Sequence, residues 1–336
     1  MHSLKLQKGF SIVELMVGLT IGLLVVAGAS AIWVSSKVSY GVQADLSEIQ
    51  ETGRFSISLF QQEMRQAGFM GCANSVEKDK LFDNTSYSDD DFDEIFRGPR
   101  VEGEEGASGA SDSFTMRGFK IEGDSIGVDD DESTVTDGIS IKAIRLKLEN
   151  QPEFKADQFL AITDCSLSVI FEVKTDMEPD DLIVELKSEL NADIAEKEAL
   201  LASMDTTIID PDKDKYRTHL FSFYQNRYFI SGNSLMRTSL DSTEEILPDV
   251  ENMQVLYGID TDGSPGPDEY LAASAMANNW DSVVSIKVGL IARSSEEFGM
   301  DVGPTSYSLL GQDITVDSDR RRRKEFTTEV SIRNWQ

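Results

Sequence analysis

The sequence predicts an α+β fold, with one long N-terminal helix packed on an antiparallel β-sheet domain. Three observations carry this expectation. An apolar run extends from Phe10 to Val34, an amphipathic stripe continues it to about Ala67, and from Gly68 short β-rich segments alternate with turn residues.

The apolar run covers 25 residues and contains one charge, Glu14. A helix of about 20 apolar residues suffices to cross a bilayer core. Lys5 and Lys8 precede the run, which places the N-terminus on the cytoplasmic side. Two plain readings compete here. One is a cleaved secretory signal with Ala27-Gly28-Ala29 as its small-residue cleavage site. The other is a simple membrane anchor. Glu14 argues against both, because a lone carboxylate in hydrocarbon is costly and usually marks a partner.

Beyond Val34 the pattern turns amphipathic. Val38, Val42, Leu46, Ile49, Gly53, Ile57, Phe60 and Met64 recur at steps of three and four, a helical period. Gln43, Asp45, Glu48, Gln50 and Glu51 fall off the stripe. Ser35-Ser36 marks the exit from the apolar segment, and Gly68 and Gly71 end the helix. Residues 10–34 are thus expected to form the membrane half, and 35–67 the half that packs on the domain.

From residue 68 to 336 the helical period mostly stops. Strands are expected at Ser113 to Phe119, Gly138 to Leu148, Ser168 to Val173, Leu220 to Ile230, Asn252 to Ile259, Val283 to Ala292 and Phe326 to Ile332. The acidic runs Asp89 to Glu94 and Asp129 to Glu132, and the Gly/Ser-rich stretch Gly103 to Ser113, are expected to be surface loops. Asp180 to Met204 predicts a second helix, with Ile183, Leu186, Leu190, Ile194 and Leu201 on one face, inside a helical insertion spanning 176–215.

The N-terminal residues also carry a family resemblance. Lys8-Gly9-Phe10-Ser11-Ile12-Val13-Glu14-Leu15-Met16-Val17 resembles the leader junction of type IV prepilins. The resemblance implies that residues 1–9 are a leader, that a prepilin peptidase cuts between Gly9 and Phe10, and that the new Phe10 amine is methylated. It also implies that Glu14 of one subunit pairs with the Phe10 amine of a neighbour inside the apolar filament core. A buried charge there is tolerated only when matched. Towards the C-terminus, Ile230 to Arg237, Leu247 to Gly258, Asp260-Thr261-Asp262-Gly263, Trp280, Val283 to Arg293 and Arg323 to Thr328 occur in an order that resembles the PilW type of minor pilin. The Gly71-Cys72 and Asp164-Cys165 pair fits the same pattern.

The two cysteines, Cys72 and Cys165, are expected to form a disulfide if the domain is exported; the alternatives are two buried thiols and a reactive thiol, for which no catalytic partner is visible. Closing that loop is worth about 4–5 kcal/mol on the entropy model. Asp260, Asp262 and Asp268 lie in a segment with the alternating carboxylates of a calcium loop, but the EF-hand pattern is incomplete and an Asp-Gly turn explains it as well. No other cofactor is expected. Arg320 to Lys324 is a basic block, expected in a solvated loop or at a contact with a neighbouring subunit.

Composition narrows the function class. The 336 residues are 40% hydrophobic and 27% charged, as in ordinary globular chains. Sixty acids against 31 bases give −29, so the surface repels nucleic acid. His2 and His219 are the only histidines, and no grouping of nucleophile, base and orienter stands out. The resemblance therefore implies a non-enzymatic minor pilin that helps initiate pilus assembly near the tip, in support of twitching motility, adhesion or DNA uptake. Its partners would be other minor and major pilins, the prepilin peptidase, the assembly platform and a tip adhesin. It would sit in a bacterial inner membrane with a periplasmic domain. A pseudopilin of a type II secretion system and a membrane-anchored calcium-binding or adhesive protein are the alternatives.

Overall fold

A computed structural model describes residues 9, 11–69, 81–85, 87–121, 127–129, 135–136, 140–147, 154–163, 168–176, 183–191, 219–240, 242–277, 279–297, 305–316 and 318–332. The chain begins with helix α1 (Ile12–Gln66), followed by β1 (Leu81–Asn84), α2 (Asp89–Phe96), β2 (Val101–Glu104) and β3 (Ser113–Ile121). Next come β4 (Gly127–Asp129), β5 (Val135–Thr136), β6 (Ser140–Lys147), β7 (Phe159–Thr163), β8 (Ser168–Glu172) and β9 (Ile183–Asn191). The C-terminal part contains β10 (His219–Ser231), β11 (Ser234–Thr238), β12 (Thr243–Pro248), β13 (Val250–Ile259), β14 (Glu269–Leu271), β15 (Val283–Arg293), β16 (Thr305–Leu309), β17 (Gln312–Val316) and β18 (Arg323–Ser331).

The expected α+β arrangement is present. The first sheet runs β1-β8-β7-β10-β11-β12, with β3 on the other side of β10 and β2 beyond it. The long strand β10 makes this possible: Phe221 to Tyr228 pair with β3 along one edge, while β7 and β11 share the other edge in succession. The second sheet runs β14-β13-β15-β18. All described pairings are antiparallel except β1 with β8. Two hairpins turn through paired left-handed residues, Gly232-Asn233 between β10 and β11 and Leu310-Gly311 between β16 and β17. Their backbone twist matches that of the strands they join.

Helix α1 closes the core between the two sheets. Its stripe is largely as the sequence predicts: Ile49, Gly53, Phe60 and Met64 are buried. Ahead of Ile49 the buried line shifts to Gly41 and Asp45, so Val38 and Leu46 are exposed instead. Phe60 meets Phe114 of β3 and Tyr228 of β10, each at 5.6 Å between ring centroids, and those two rings stack at 5.2 Å. Burying one such aromatic side chain contributes about 2–3 kcal/mol. Met64 and Ala67 continue the contact towards Met253 and Val255 of β13. The helix ends at Gln66, and two residues on Gly68, in a left-handed conformation (φ 71°), donates its N–H to the Arg117 carbonyl at 2.9 Å.

Two expectations are corrected. The acidic run Asp89 to Glu94 is not a loop but most of α2. The Ser88 side chain accepts from the Asp91 amide and caps the helix, the carboxylates complement its N-terminal dipole, and Phe92 and Phe96 are buried against Phe159 and Phe223. The second helix is also absent over Ile183 to Asn191, which is strand β9 paired with β6. The spacing of Ile183, Leu186 and Leu190 fits a helix, but Val184 and Leu186 are buried while Glu185 and Lys187 are exposed, the alternation of a strand. The rest of 176–215, beyond 176 and outside β9, lies outside the described residues, as do Cys72, Cys165, Gly71 and Asp130 to Glu132.

Gly53 marks where α1 and the second sheet come closest. A Cβ there would meet the Phe326 ring of β18 at 2.3 Å. Gly53→Leu is therefore expected to destabilise the domain by about 1–3 kcal/mol through overpacking. The same change in a Phe326→Ala background should cost much less. Equal losses in thermal unfolding of the two backgrounds would contradict the packing.

Candidate assembly interface

The helix α1 has two environments. Every described residue from Ile12 to Tyr40 is exposed, and the first buried position is Gly41. The exposed half is apolar enough to cross a membrane, with a mean hydropathy of 2.3 over its most apolar window. Ile12, Leu24 and Ile32 are each more than 70% exposed, which a water-facing helix does not sustain without a partner or lipid. Thr20 is reconciled with these surroundings by donating its hydroxyl to the carbonyls of Met16 and Val17. Glu14 stands in the first turn, three residues after the Ser11 cap position, where a carboxylate also complements the helix dipole. Gly9 precedes the helix, and Phe10 lies outside the described residues.

The buried half is held by charge as well as by packing. Asp45 is buried on the face that meets the domain, and one of its carboxylate oxygens has no hydrogen-bond partner. Burial pushes its carboxyl up, Glu48 and Glu296 add to this, and the nearby Arg322 opposes it. One turn on, Glu48 accepts a hydrogen bond from the Ser295 hydroxyl at 2.8 Å. Further along, Gln61 donates to Thr328 of β18 at 3.3 Å, and Glu63 faces Arg237 of β11 at 3.5 Å.

The basic block Arg320 to Lys324 is where sequence reasoning departs most from the structure. Arg320 to Arg322 lie in a loop just before β18, as expected, with Arg320 exposed, but the block is also pinned by partners within the chain. The Arg323 side chain is 2% exposed and forks between Glu251 and Asp319. Arg321 donates to the backbone carbonyls of Ser294 and Ser295. Arg320 pairs with Glu297 at 3.3 Å, and Lys324 lies over the Phe326 ring. Beside them Arg293 pairs with Asp249, whose left-handed backbone joins β12 to β13. Two arginines thus clamp the start of β13 to β15 and β18. The repeated basic charge conceals this role, because Glu251, Glu297 and the Ser294 and Ser295 carbonyls are far away in sequence.

The three carboxylates of the candidate calcium loop do converge. Asp260, Asp262 and Asp268 each offer an oxygen within 4.8 Å of the others. Those carboxylates are already engaged: Asp260 accepts from the amides of Asp262 and Gly263, Asp262 from Ser264, and Asp268 from the amide and hydroxyl of Thr261. The Thr261 donors hold the Asp268 carboxyl below its usual range. The loop is closed by its own turn chemistry, with or without a cation.

Arg323→Leu leaves Glu251 and Asp319 without their counter-charge. The carboxylates are partly exposed, so the loss is expected near the lower end of about 3–5 kcal/mol. Arg323 holds the Asp319 carboxyl below its ordinary value. A depressed folded value means that stability is fully present above the unfolded pKa of about 4 and is lost as pH falls towards the folded one. The gap between wild type and Arg323→Leu should therefore narrow below about pH 4. An undiminished gap at pH 3 would contradict the assignment.

Comparison with known families matches both ends of the chain. Residues 4–30 match the family model of the prokaryotic N-terminal methylation motif. Residues 225–334 match that of PilW, the type IV pilus-assembly protein W, a span that holds β11 to β18 and both arginine clamps. No curated protein and no solved structure gave a significant match. The methylation motif and the apolar helix point to membrane anchoring and incorporation into a pilus, and the chain carries at its two ends the patterns of a type IV minor pilin of the PilW type.

Proposed function

We propose that the chain is a minor pilin that enters a type IV pilus through α1 and helps initiate its assembly near the tip, with residues 68–336 in the periplasm. The observation that supports this most directly is the bare half of α1: an apolar helix, uncovered from Ile12 to Tyr40, that begins beside a methylation motif and carries one carboxylate. In the membrane that surface faces lipid, and in the filament it faces the helices of other pilins. Glu14 pairs there with the methylated amine of Phe10 on a neighbour, so the charge is matched at the moment of packing. The prepilin peptidase and the assembly platform act on this same segment, while the two sheets supply lateral contacts with other minor and major pilins and with a tip adhesin. Cys72 and Cys165 form a disulfide in this setting. The role is structural rather than enzymatic. Motility, adhesion and DNA uptake follow from the pilus as a whole, since the net charge of −29 disfavours DNA contact by this subunit.

A pseudopilin of a secretion system would share the leader and helix. Deleting the gene separates the two: loss of surface pili supports the pilus reading, and loss of secretion with intact pili supports the other.

The mature protein recovered from its native membrane is expected to start at N-methylated Phe10. A start near Ser30 or an intact Met1, read by peptide mass, would overturn the reading. Glu14→Ala is expected to leave cleavage unchanged and to reduce pilus incorporation severalfold. Normal incorporation of this variant would remove the proposed pair.

A further inference from the structure

The collar of α1 between the apolar run and the domain has a feature that assembly alone does not require. Trp33, Lys37 and Tyr40 follow one another at steps of four and three, so they share one helical face. All three are exposed, Trp33 by 68% and Tyr40 by 75%, and the Lys37 ammonium lies over the Trp33 ring at 5.9 Å. Their face is opposite the one that Ile49, Gly53 and Phe60 bury in the domain. Ser35, Ser36 and Ser39 surround them, and Lys37 is the one cation of α1 between Ile12 and Gly53.

The spacing along the axis is informative. From Ile12 to Trp33 the helix rises about 32 Å, close to the roughly 30 Å thickness of a bilayer core. From Trp33 to Gly41, where the domain begins to cover the helix, it rises a further 12 Å or so, enough to pass a headgroup layer. An indole, a phenol and an ammonium each have an apolar body and a polar tip, which suits the boundary between lipid and water. A dry helix–helix contact favours small residues, and these lie before Trp33, at Gly18, Gly22 and Ala27 to Ala31.

We infer that Trp33, Lys37 and Tyr40 form an interfacial anchor that binds anionic phospholipid headgroups on the outer leaflet and sets the depth of α1 before assembly. The inference rests on the membrane-inserted reading of α1 above. Lys37 supplies the charge complement to the phosphates, and the two aromatic rings seat at the level of the glycerol backbone. The domain is then held just clear of the membrane surface, with its covered face of α1 turned away from the anchor.

The full chain reconstituted into vesicles of phosphatidylcholine, with and without phosphatidylglycerol, tests this. The signal of Trp33 is taken as the difference between wild type and Trp33→Phe, which leaves Trp280 and Trp335 in place. Quenching by lipids brominated at successive depths is expected to peak about 15 Å from the bilayer centre, half the thickness of the core. Lys37→Glu should shift that peak in the anionic vesicles and leave it unmoved in the zwitterionic ones. A peak at the bilayer centre, or no response to Lys37→Glu in anionic vesicles, overturns the anchor while the inserted helix stands. A Trp33 signal that changes with the protein-to-lipid ratio also overturns it, by assigning the face to a second helix. A chain that washes off the vesicles in alkaline carbonate defeats both the anchor and the membrane-inserted reading.

Discussion

Phe60 of α1 stands between Phe114 and Tyr228, and around this aromatic contact the helix closes a core that neither sheet closes alone. Everything else about the chain depends on how far that burial extends. Along α1 it runs from Gly41 to Met64, and the preceding residues from Ile12 onward are left exposed among the described residues. One uninterrupted helix therefore answers to two surroundings, a protein core at one end and lipid or other helices at the other. Nothing among the described residues covers this apolar area, and a bare apolar area of this kind marks a surface for lipid or a partner.

Electrostatics in this acidic chain is organised around few bases. With 60 acids and 31 bases, most carboxylates must be solvated, and a base inside the fold is spent on a specific junction. Arg323 and Arg293 are the clearest cases, joining Glu251, Asp319 and Asp249 where β13 begins beside β15 and β18. Arg117 acts similarly in the first sheet, reaching Glu102, the Gln225 side chain and the Pro99 carbonyl. Removing one partner from such a group leaves a charge without compensation, which makes these sites sensitive although the pairs themselves add little net stability. The same junction lies in the segment that matches PilW, which gives that match a physical content: the second sheet and the contact it makes with α1.

The two halves of α1 also divide the functional argument. The exposed half is legible as chemistry: a match to a methylation motif, one carboxylate, an apolar span and a Trp-Lys-Tyr face at its end. The sheets present no comparable constellation among the described residues, and what they contribute is shape, the register of β10 with β3, β7 and β11 and the support of the helix.

Local signals in the sequence determined the helix and its end, the apolar span, the motif matched at residues 4–30 and the strands β3, β6, β8, β10, β13, β15 and β18. Each is a periodicity or a turn residue acting over a few positions. Tertiary structure decided what depended on distant partners. Ile183 to Asn191 became a strand because β6 offers it a ladder, although its apolar spacing suits a helix equally well. Asp89 to Glu94 became helical because Phe92 and Phe96 find a core of other aromatics. Arg323 of the basic block became a clamp because Glu251 comes within reach only when β13, β15 and β18 are assembled. A charge run has no period and names no partner, so its role is set by contacts that exist only in the folded chain.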